Sequence, residues 1–139
     1  MGLLYGKPGD IIGDLDCLHL NIYTTGLPLI RQDIDLMPVF FWIHGGAFQY
    51  GSGHFGANPD YLLESGLVVV TINYRLGPFG FFAHDKMKGV DGNQGLKDQL
   101  MALRWVNKNI ASFGGDPSRI TIAGESAGAM RLIFLFAID

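Results

Sequence analysis

The sequence is poor in the features that mark several specialised classes of protein. It holds a single cysteine, Cys17, which excludes an internal disulfide and a cysteine-based metal cluster. Charged residues make up only 17% of the 139 residues and the net charge is -3, so we expect no basic surface for nucleic acid or an anionic membrane. The four histidines show no metal-ligand spacing, and no apolar run approaches the roughly 20 residues of a transmembrane helix. The expected partner is a small uncharged molecule, with no metal and no cofactor.

Apolar residues are abundant, and their spacing predicts both strands and helices. They make up 48% of the chain, which is enough for one globular domain with a core. Residues 39–43 and 67–72 are continuous apolar runs, typical of parallel strands that are buried on both faces. Residues 18–23 alternate between apolar and polar side chains, which predicts a strand with one apolar face. Residues 95–113 carry apolar side chains every three or four positions, which predicts an amphipathic helix that ends at Gly114.

Two further segments complete the predicted arrangement. Residues 59–65, followed by Gly66, indicate a short helix. Residues 120–123 form a short strand, rich in β-branched side chains, after the long helix. Strand, helix and strand in that order describe a βαβ crossover. The predicted fold class is therefore α/β, with a mostly parallel central sheet and flanking helices.

The strongest motif is Gly-x-Ser-x-Gly at residues 124–128, directly after the last predicted strand. A serine held in a strained strand-to-helix turn brings the residues two before and two after it close together. Gly124 and Gly128 fit that requirement, because a side chain at either position would collide with the turn. In a chain with 20 glycines the pattern alone is weak, but its place after a strand is the context that the motif requires. Ser126 is thus a candidate nucleophile.

A second glycine-rich segment follows the apolar run at residues 39–43. Its sequence, His-Gly-Gly-Ala-Phe at residues 44–48, would let backbone N–H groups point into a site, as binding the oxyanion of a tetrahedral intermediate requires. The alternative is an ordinary glycine-rich turn from a strand into a loop. The Ser126 motif later in the chain favours the first interpretation.

Several blocks of sequence, taken in order, resemble those of the type-B carboxylesterases and cholinesterases. These blocks are residues 16–21 (Asp-Cys-Leu-His-Leu-Asn), 73–77 (Asn-Tyr-Arg-Leu-Gly), 92–99 (Gly-Asn-Gln-Gly-Leu-Lys-Asp-Gln), 113–117 (Phe-Gly-Gly-Asp-Pro) and 124–128 (Gly-Glu-Ser-Ala-Gly). The last two, with residues 120–122, match the spacing of the family's active-site serine signature. The resemblance covers about residues 14–129. It implies an α/β-hydrolase fold, of which residues 1–139 would be the N-terminal part of a single domain, with the C-terminal strands missing.

The resemblance also implies catalytic roles for individual residues. Ser126 would attack a small-molecule carboxylic ester, and the backbone N–H groups of Gly46, Ala47 and Ala127 would bind the oxyanion. The His-Gly-Gly-Ala sequence differs from the Gly-Gly-Gly form common in cholinesterases. Because backbone groups are the donors, Ala47 is compatible with the role. His44 is expected to orient the loop, not to act as the catalytic base.

Other implications of the resemblance concern structure and location. Arg75 and Asp98 match a buried ion pair of the family, so their expected role is structural. Cys17 matches a cysteine that usually pairs with one further upstream, and this sequence has no other cysteine. Family members are often secreted or lumenal, whereas the first residues of this chain do not resemble a signal peptide, so the sequence assigns no compartment.

After the serine motif the sequence departs from the family. The α/β-hydrolases order their catalytic triad as Ser, then Asp or Glu, then His, yet no histidine follows Ser126 here and the sole later carboxylate side chain is Asp139. A serine hydroxyl is a poor nucleophile without a general base. Residues 130–139 also diverge from the family's continuation, which suggests a truncated product or a misread exon boundary.

Three hypotheses about function follow from these observations. The first is a serine ester hydrolase that acts through an acyl-enzyme on Ser126. The second is a non-catalytic adhesion or scaffold protein of the same cholinesterase-like fold, which the presence of Ser126 and of small residues at the oxyanion positions disfavours. The third is a polypeptide without independent activity that aggregates through an exposed sheet edge. We predict ester hydrolysis as the function of the family and the third outcome for the 139-residue chain alone.

Overall fold

A four-stranded sheet forms the centre of the structure, a computed structural model that describes residues 13–14, 16–28, 35–54, 58–88 and 92–131. Its strands are β1 (Leu20–Tyr23), β2 (Met37–Ile43), β3 (Val68–Ile72) and β4 (Gly115–Gly124). Their spatial order is β1-β3-β2-β4. β2 runs parallel to both β3 and β4, whereas β1 pairs with β3 in antiparallel orientation. The predicted mostly parallel sheet is confirmed, with β1 as its antiparallel edge.

The described residues form three α-helices, two of which were predicted. They are α1 (Pro59–Glu64), α2 (Gly77–Phe81) and α3 (Gln94–Asn109). α1 and α3 confirm the predictions, except that the end of the longer one, Ile110–Phe113, is a 3₁₀ turn that stops at Gly114 with a φ of +84°. α2 was missed because its five residues are too few to show a helical period. None of the described helices is long and apolar enough to cross a membrane.

The core lies mainly between β2, β3 and α3. Every residue of β3 is buried, as predicted. β2 is fully buried on one face only: Phe40 and Trp42, whose ring centroids are 6.1 Å apart, alternate with the core residues and are half-buried. The prediction of burial on both faces is therefore wrong for β2, because α3 packs against the face opposite these two rings. The cluster of buried core side chains consists of Val39, Phe41, Ile43, Val68, Val70, Ile72, Tyr74, Val106 and Ile110.

The connection from β3 through α3 to β4 passes over β2. β4 pairs with the far side of β2 and not with β3, so the predicted βαβ crossover spans one intervening strand. In this register Ile43, the last residue of β2, lies between Ile72 of β3 and Gly124 of β4. The three parallel strands therefore end at the same edge of the sheet. The segments that follow them meet there, at the edge where open α/β sheets bind their ligands.

A polar turn at the opposite edge holds the start of β4. The Asp116 carboxylate accepts hydrogen bonds from the N–H (2.8 Å) and the hydroxyl (2.6 Å) of Ser118, and from Nε of Arg119 (2.6 Å). These bonds, the Ser118 hydroxyl first, lower the pKa of Asp116 from 3.8 to about 2. Arg119 also donates through Nη2 to the carbonyl oxygen of Leu36, directly before β2. The turn thus fastens the beginnings of two neighbouring strands to each other.

Candidate active site

A sharp turn leads from β4 to a 3₁₀ turn at Ala129–Arg131 and carries Ser126. Ser126 has a φ of +50°, a left-handed conformation that few residues with a side chain adopt. The N–H of Gly128 donates to the carbonyl of Glu125 at 2.8 Å and closes the turn. This is the strained backbone that the Gly-x-Ser-x-Gly pattern predicts. Most of the segment predicted to diverge from the family, residues 132–139, lies outside the described residues.

The two glycines of the motif are required by close backbone contacts. A Cβ at Gly124 would lie 2.8 Å from the carbonyl carbon of Gly128. A Cβ at Gly128 would lie 2.2 Å from the carbonyl oxygen of Ile43 and 2.8 Å from that of His44. The turn is therefore packed directly against the end of β2, and neither position has room for a side chain.

The segment that follows β2 adopts an unusual run of left-handed conformations. Gly46, Ala47 and Phe48 have φ values of +110°, +51° and +64°. The carbonyl of Gly46 accepts hydrogen bonds from the N–H groups of Gln49 (2.9 Å) and Tyr50 (3.1 Å), which tighten the turn. Consecutive N–H groups in such turns form concave sites that favour anions. We call residues 44–48 the glycine-rich segment below.

Three backbone N–H groups near the two turns have no acceptor within the described part of the chain. They belong to Gly46, Ala47 and Ala127, the residues that the sequence assigns to the oxyanion site. Ala127 is only 2% exposed. Since buried backbone N–H groups are nearly always paired, the unpaired N–H of Ala127 is available to a ligand, whereas Gly46 is half-buried and Ala47 exposed.

The glycine-rich segment and the serine turn touch each other. A Cβ at Gly45 would lie 2.8 Å from the carbonyl oxygen of Glu125 and 3.3 Å from Cβ of Ser126. Residues that are far apart in sequence are thus neighbours at the carboxyl edge of the sheet.

His44 is buried between the two turns and held on several sides. Its Nδ1 lies 2.7 Å from the carbonyl oxygen of Gly45, which can only accept, so we assign the ring proton to Nδ1. Its ring stacks on that of Tyr74, with centroids 4.5 Å apart. Burial lowers the pKa of His44, because the imidazolium is poorly solvated there. Tyr74 was missed by the sequence reasoning, although it lies in the Asn-Tyr-Arg block that carries the resemblance.

Arg75 and Asp98 form the predicted ion pair. Nε of Arg75 donates to Oδ2 of Asp98 and Nη2 donates to Oδ1, both at 2.7 Å, and the Arg75 N–H also donates to Oδ2 at 3.1 Å. Hydrogen bonding to Asp98 raises the pKa of Arg75. The carboxylate is 4% exposed and the guanidinium 39%, so the pair is less buried than predicted. The pair joins α3 to the segment that follows β3.

Within the ranges that the structure describes, no three His, Cys, Asp or Glu side chains gather in a way that could hold a metal ion. Cys17 is a half-buried free thiol that precedes β1.

Comparison with known proteins places this chain among esterases. The model of the carboxylesterase family matches residues 4–138. Venom carboxylesterase-6 of Apis mellifera is 55% identical over 116 residues, which cover 84% of this chain and 20% of that protein. Juvenile hormone esterase of Heliothis virescens is 48% identical over 116 residues, covering 81% of this chain and 20% of the relative. The chain thus spans about a fifth of the length of these relatives.

Solved structures show the same relationship. A carboxylesterase of Geobacillus stearothermophilus aligns with a TM-score of 0.76 and 44% identity, over 91% of this chain and 27% of that chain. A PNB esterase aligns with a TM-score of 0.75 and 40% identity, over 93% of this chain and 27% of that chain. The described strands and helices are part of the α/β-hydrolase fold that these esterases share.

Proposed function

The chain belongs to the carboxylesterase family, and we propose that Ser126 is the nucleophile of carboxylic ester hydrolysis. One observation carries this proposal above the others. Ser126 lies in a strained turn that touches the glycine-rich segment, and the N–H groups of Gly46, Ala47 and Ala127 have no acceptor among the described residues. The proposed substrate class is a small-molecule carboxylic ester.

In the proposed reaction, Oγ of Ser126 attacks the ester carbonyl carbon. The carbonyl π electrons move to oxygen, and the resulting oxyanion binds the N–H groups of Gly46, Ala47 and Ala127. Collapse of this intermediate breaks the bond to the alcohol oxygen, which leaves with the proton that the Ser126 hydroxyl gave up to a general base. Water then attacks the acyl carbon, which releases the carboxylic acid and restores the Ser126 hydroxyl. Loss of a single oxyanion donor typically raises such a barrier by about 3 kcal/mol, so these donors would supply much of the catalysis.

The reaction also needs a general base that accepts the proton of Ser126. His44 is an unsuitable base, since its burial disfavours the imidazolium that would form when it accepts a proton. The sequence has no histidine after Ser126, where the α/β-hydrolases place theirs. We therefore propose that residues 1–139 alone are inactive and that any activity depends on a base supplied from outside them.

The 139-residue chain should hydrolyse p-nitrophenyl acetate no faster than its Ser126→Ala variant. Without a base, both the attack of Ser126 and the later attack of water lack a proton acceptor. Release of p-nitrophenolate from matched concentrations of the two proteins measures the difference, with circular dichroism to show that both are folded. Clear turnover that disappears in the variant would contradict the proposed inactivity.

A fluorophosphonate probe should nevertheless modify Ser126 slowly and selectively. The unpaired N–H groups would stabilise the phosphonyl oxygen, so we expect the adduct at Ser126 to exceed that at the exposed Ser118 by roughly tenfold or more. Mass spectrometry of proteolytic peptides after a long incubation measures both sites, and the Ser126→Ala variant is the control. Equal labelling of the two serines would count against the nucleophile and favour a non-catalytic scaffold.

A further inference from the structure

Tyr74 contacts the peptide group at which the glycine-rich segment packs against the turn that carries Ser126. We propose that Tyr74 is a positioning residue that fixes the glycine-rich segment through the backbone carbonyl of His44; the inference rests on the proposed function of Ser126. Tyr74 follows β3 and is 2% exposed. Its hydroxyl donates to the carbonyl oxygen of His44 at 2.9 Å, a contact across 30 positions of sequence.

The ring of Tyr74 also holds the side chain of His44. The rings of Tyr74 and His44 stack with centroids 4.5 Å apart and planes inclined by 19°. In this orientation Nδ1 of His44 reaches the carbonyl oxygen of Gly45 at 2.7 Å. A Cβ at Gly51 would lie 2.3 Å from that Nδ1, so the backbone of the returning loop encloses the imidazole. One tyrosine therefore holds both the side chain and the carbonyl of His44.

The carbonyl of His44, to which Tyr74 donates, also lies against the turn that carries Ser126. A Cβ at Gly128 would lie 2.8 Å from the His44 carbonyl oxygen, so the serine turn packs against this peptide group. The next residue, Gly45, is in contact with the backbone of Glu125 and with Cβ of Ser126. A rotation of the His44 peptide would therefore change the start of the glycine-rich segment and its contact with Ser126 together.

The Tyr74 hydroxyl can be removed without disturbing the ring. Tyr74→Phe keeps the stacked ring and removes only the donor, which leaves the buried carbonyl of His44 without that partner. Loss of one such bond corresponds to a shift of about tenfold in a local equilibrium. The glycine-rich segment already contains strained left-handed residues. Loss of the hydrogen bond to the His44 carbonyl should therefore let its backbone move towards a less strained conformation.

The test compares the full 139-residue chain with its Tyr74→Phe variant by amide hydrogen exchange and by labelling. The N–H groups of Gln49 and Tyr50 donate to the carbonyl of Gly46, so their exchange reports the closure of this turn. We expect their exchange to become about tenfold faster in the variant. The carbonyl carbon resonance of His44 should shift as well, and fluorophosphonate labelling of Ser126 should slow by about tenfold.

Two controls separate positioning from a general loss of stability. The N–H groups of Ser65 and Gly66 donate at the end of α1 and should exchange at unchanged rates. They precede the start of β3, at the sheet edge opposite the glycine-rich segment. Tyr61→Phe removes a hydroxyl from a side chain that is 78% exposed and should change none of the readouts. Unchanged exchange at Gln49 and Tyr50 in the Tyr74→Phe variant, or an equal acceleration throughout the chain, would overturn the proposal. If Ser126 is unlabelled in the parent chain, the proposed nucleophile fails, while the exchange measurement still decides whether Tyr74 positions the segment.

Discussion

Gly128→Ala should destabilise the fold by about 3 kcal/mol, the cost of forcing an extra carbon into a packed interior. The new Cβ would lie 2.2 Å from the carbonyl oxygen of Ile43 and 2.8 Å from that of His44. Both oxygens belong to backbone at the end of the central strand β2, which its two parallel neighbours hold in place. Urea unfolding followed by circular dichroism measures the loss, as a lower midpoint at an unchanged slope.

Gly66→Ala is the matched control for this experiment. Gly66 has a φ of +76°, but nothing lies within 4 Å of a Cβ built on it. Its replacement therefore carries only the conformational cost of a left-handed residue, about 1 kcal/mol. If Gly128→Ala lowers the free energy of unfolding no more than Gly66→Ala does, the backbone at the end of β2 can move easily to accommodate the new Cβ.

Arg75→Ala should cost about 3 kcal/mol, because it leaves the carboxylate of Asp98 buried without its cation. Asp98 is 4% exposed and accepts two side-chain hydrogen bonds from the guanidinium, each of 2.7 Å. This loss of stability is at the low end for a broken buried ion pair, because the guanidinium is 39% exposed and water screens part of the interaction. Thermal unfolding and urea unfolding of the variant both report the loss.

A double variant and a surface control complete this second experiment. Adding Asp98→Asn to Arg75→Ala removes the unpaired charge and should recover part of the stability, which a double-mutant cycle quantifies. Arg104 lies exposed on α3, and its replacement by alanine should change stability by no more than about 0.5 kcal/mol. Equal losses at Arg75 and Arg104 would mean that the ion pair contributes little to holding α3 against β3.

The features that the sequence predicted well are those in which a local pattern has one structural cause. The continuous apolar run of β3 and the helical spacing of α3 each reflect burial, and both elements are present. Gly124 and Gly128 could be assigned to a sharp turn because a strained serine requires neighbours without side chains. The resemblance then identified the family, which the family model and the relatives confirm.

The features that were missed depend on contacts between distant segments. The hydrogen bond from the Tyr74 hydroxyl to the His44 carbonyl joins residues that follow different strands, so no local sequence pattern predicts it. The half-buried face of β2 at Phe40 and Trp42 has the same origin, since an apolar run does not say which face a helix will cover. The catalytic roles of Ser126 and of the N–H donors stay predictions, because geometry shows their arrangement and not their chemistry.

The order of strands in the sheet also determines when during folding a site of this kind can exist. Ile43 of β2 lies beside Gly124 of β4, so the glycine-rich segment and Ser126 meet only after a loop of roughly 80 residues has closed. Pairings of such long range form slowly compared with a helix or a hairpin. In a chain emerging from the ribosome, β2 and β3 are synthesised before the serine turn, which packs against β2 only once β4 has docked. Partly folded forms without β4 in the sheet would therefore lack the contact between Ser126 and the glycine-rich segment.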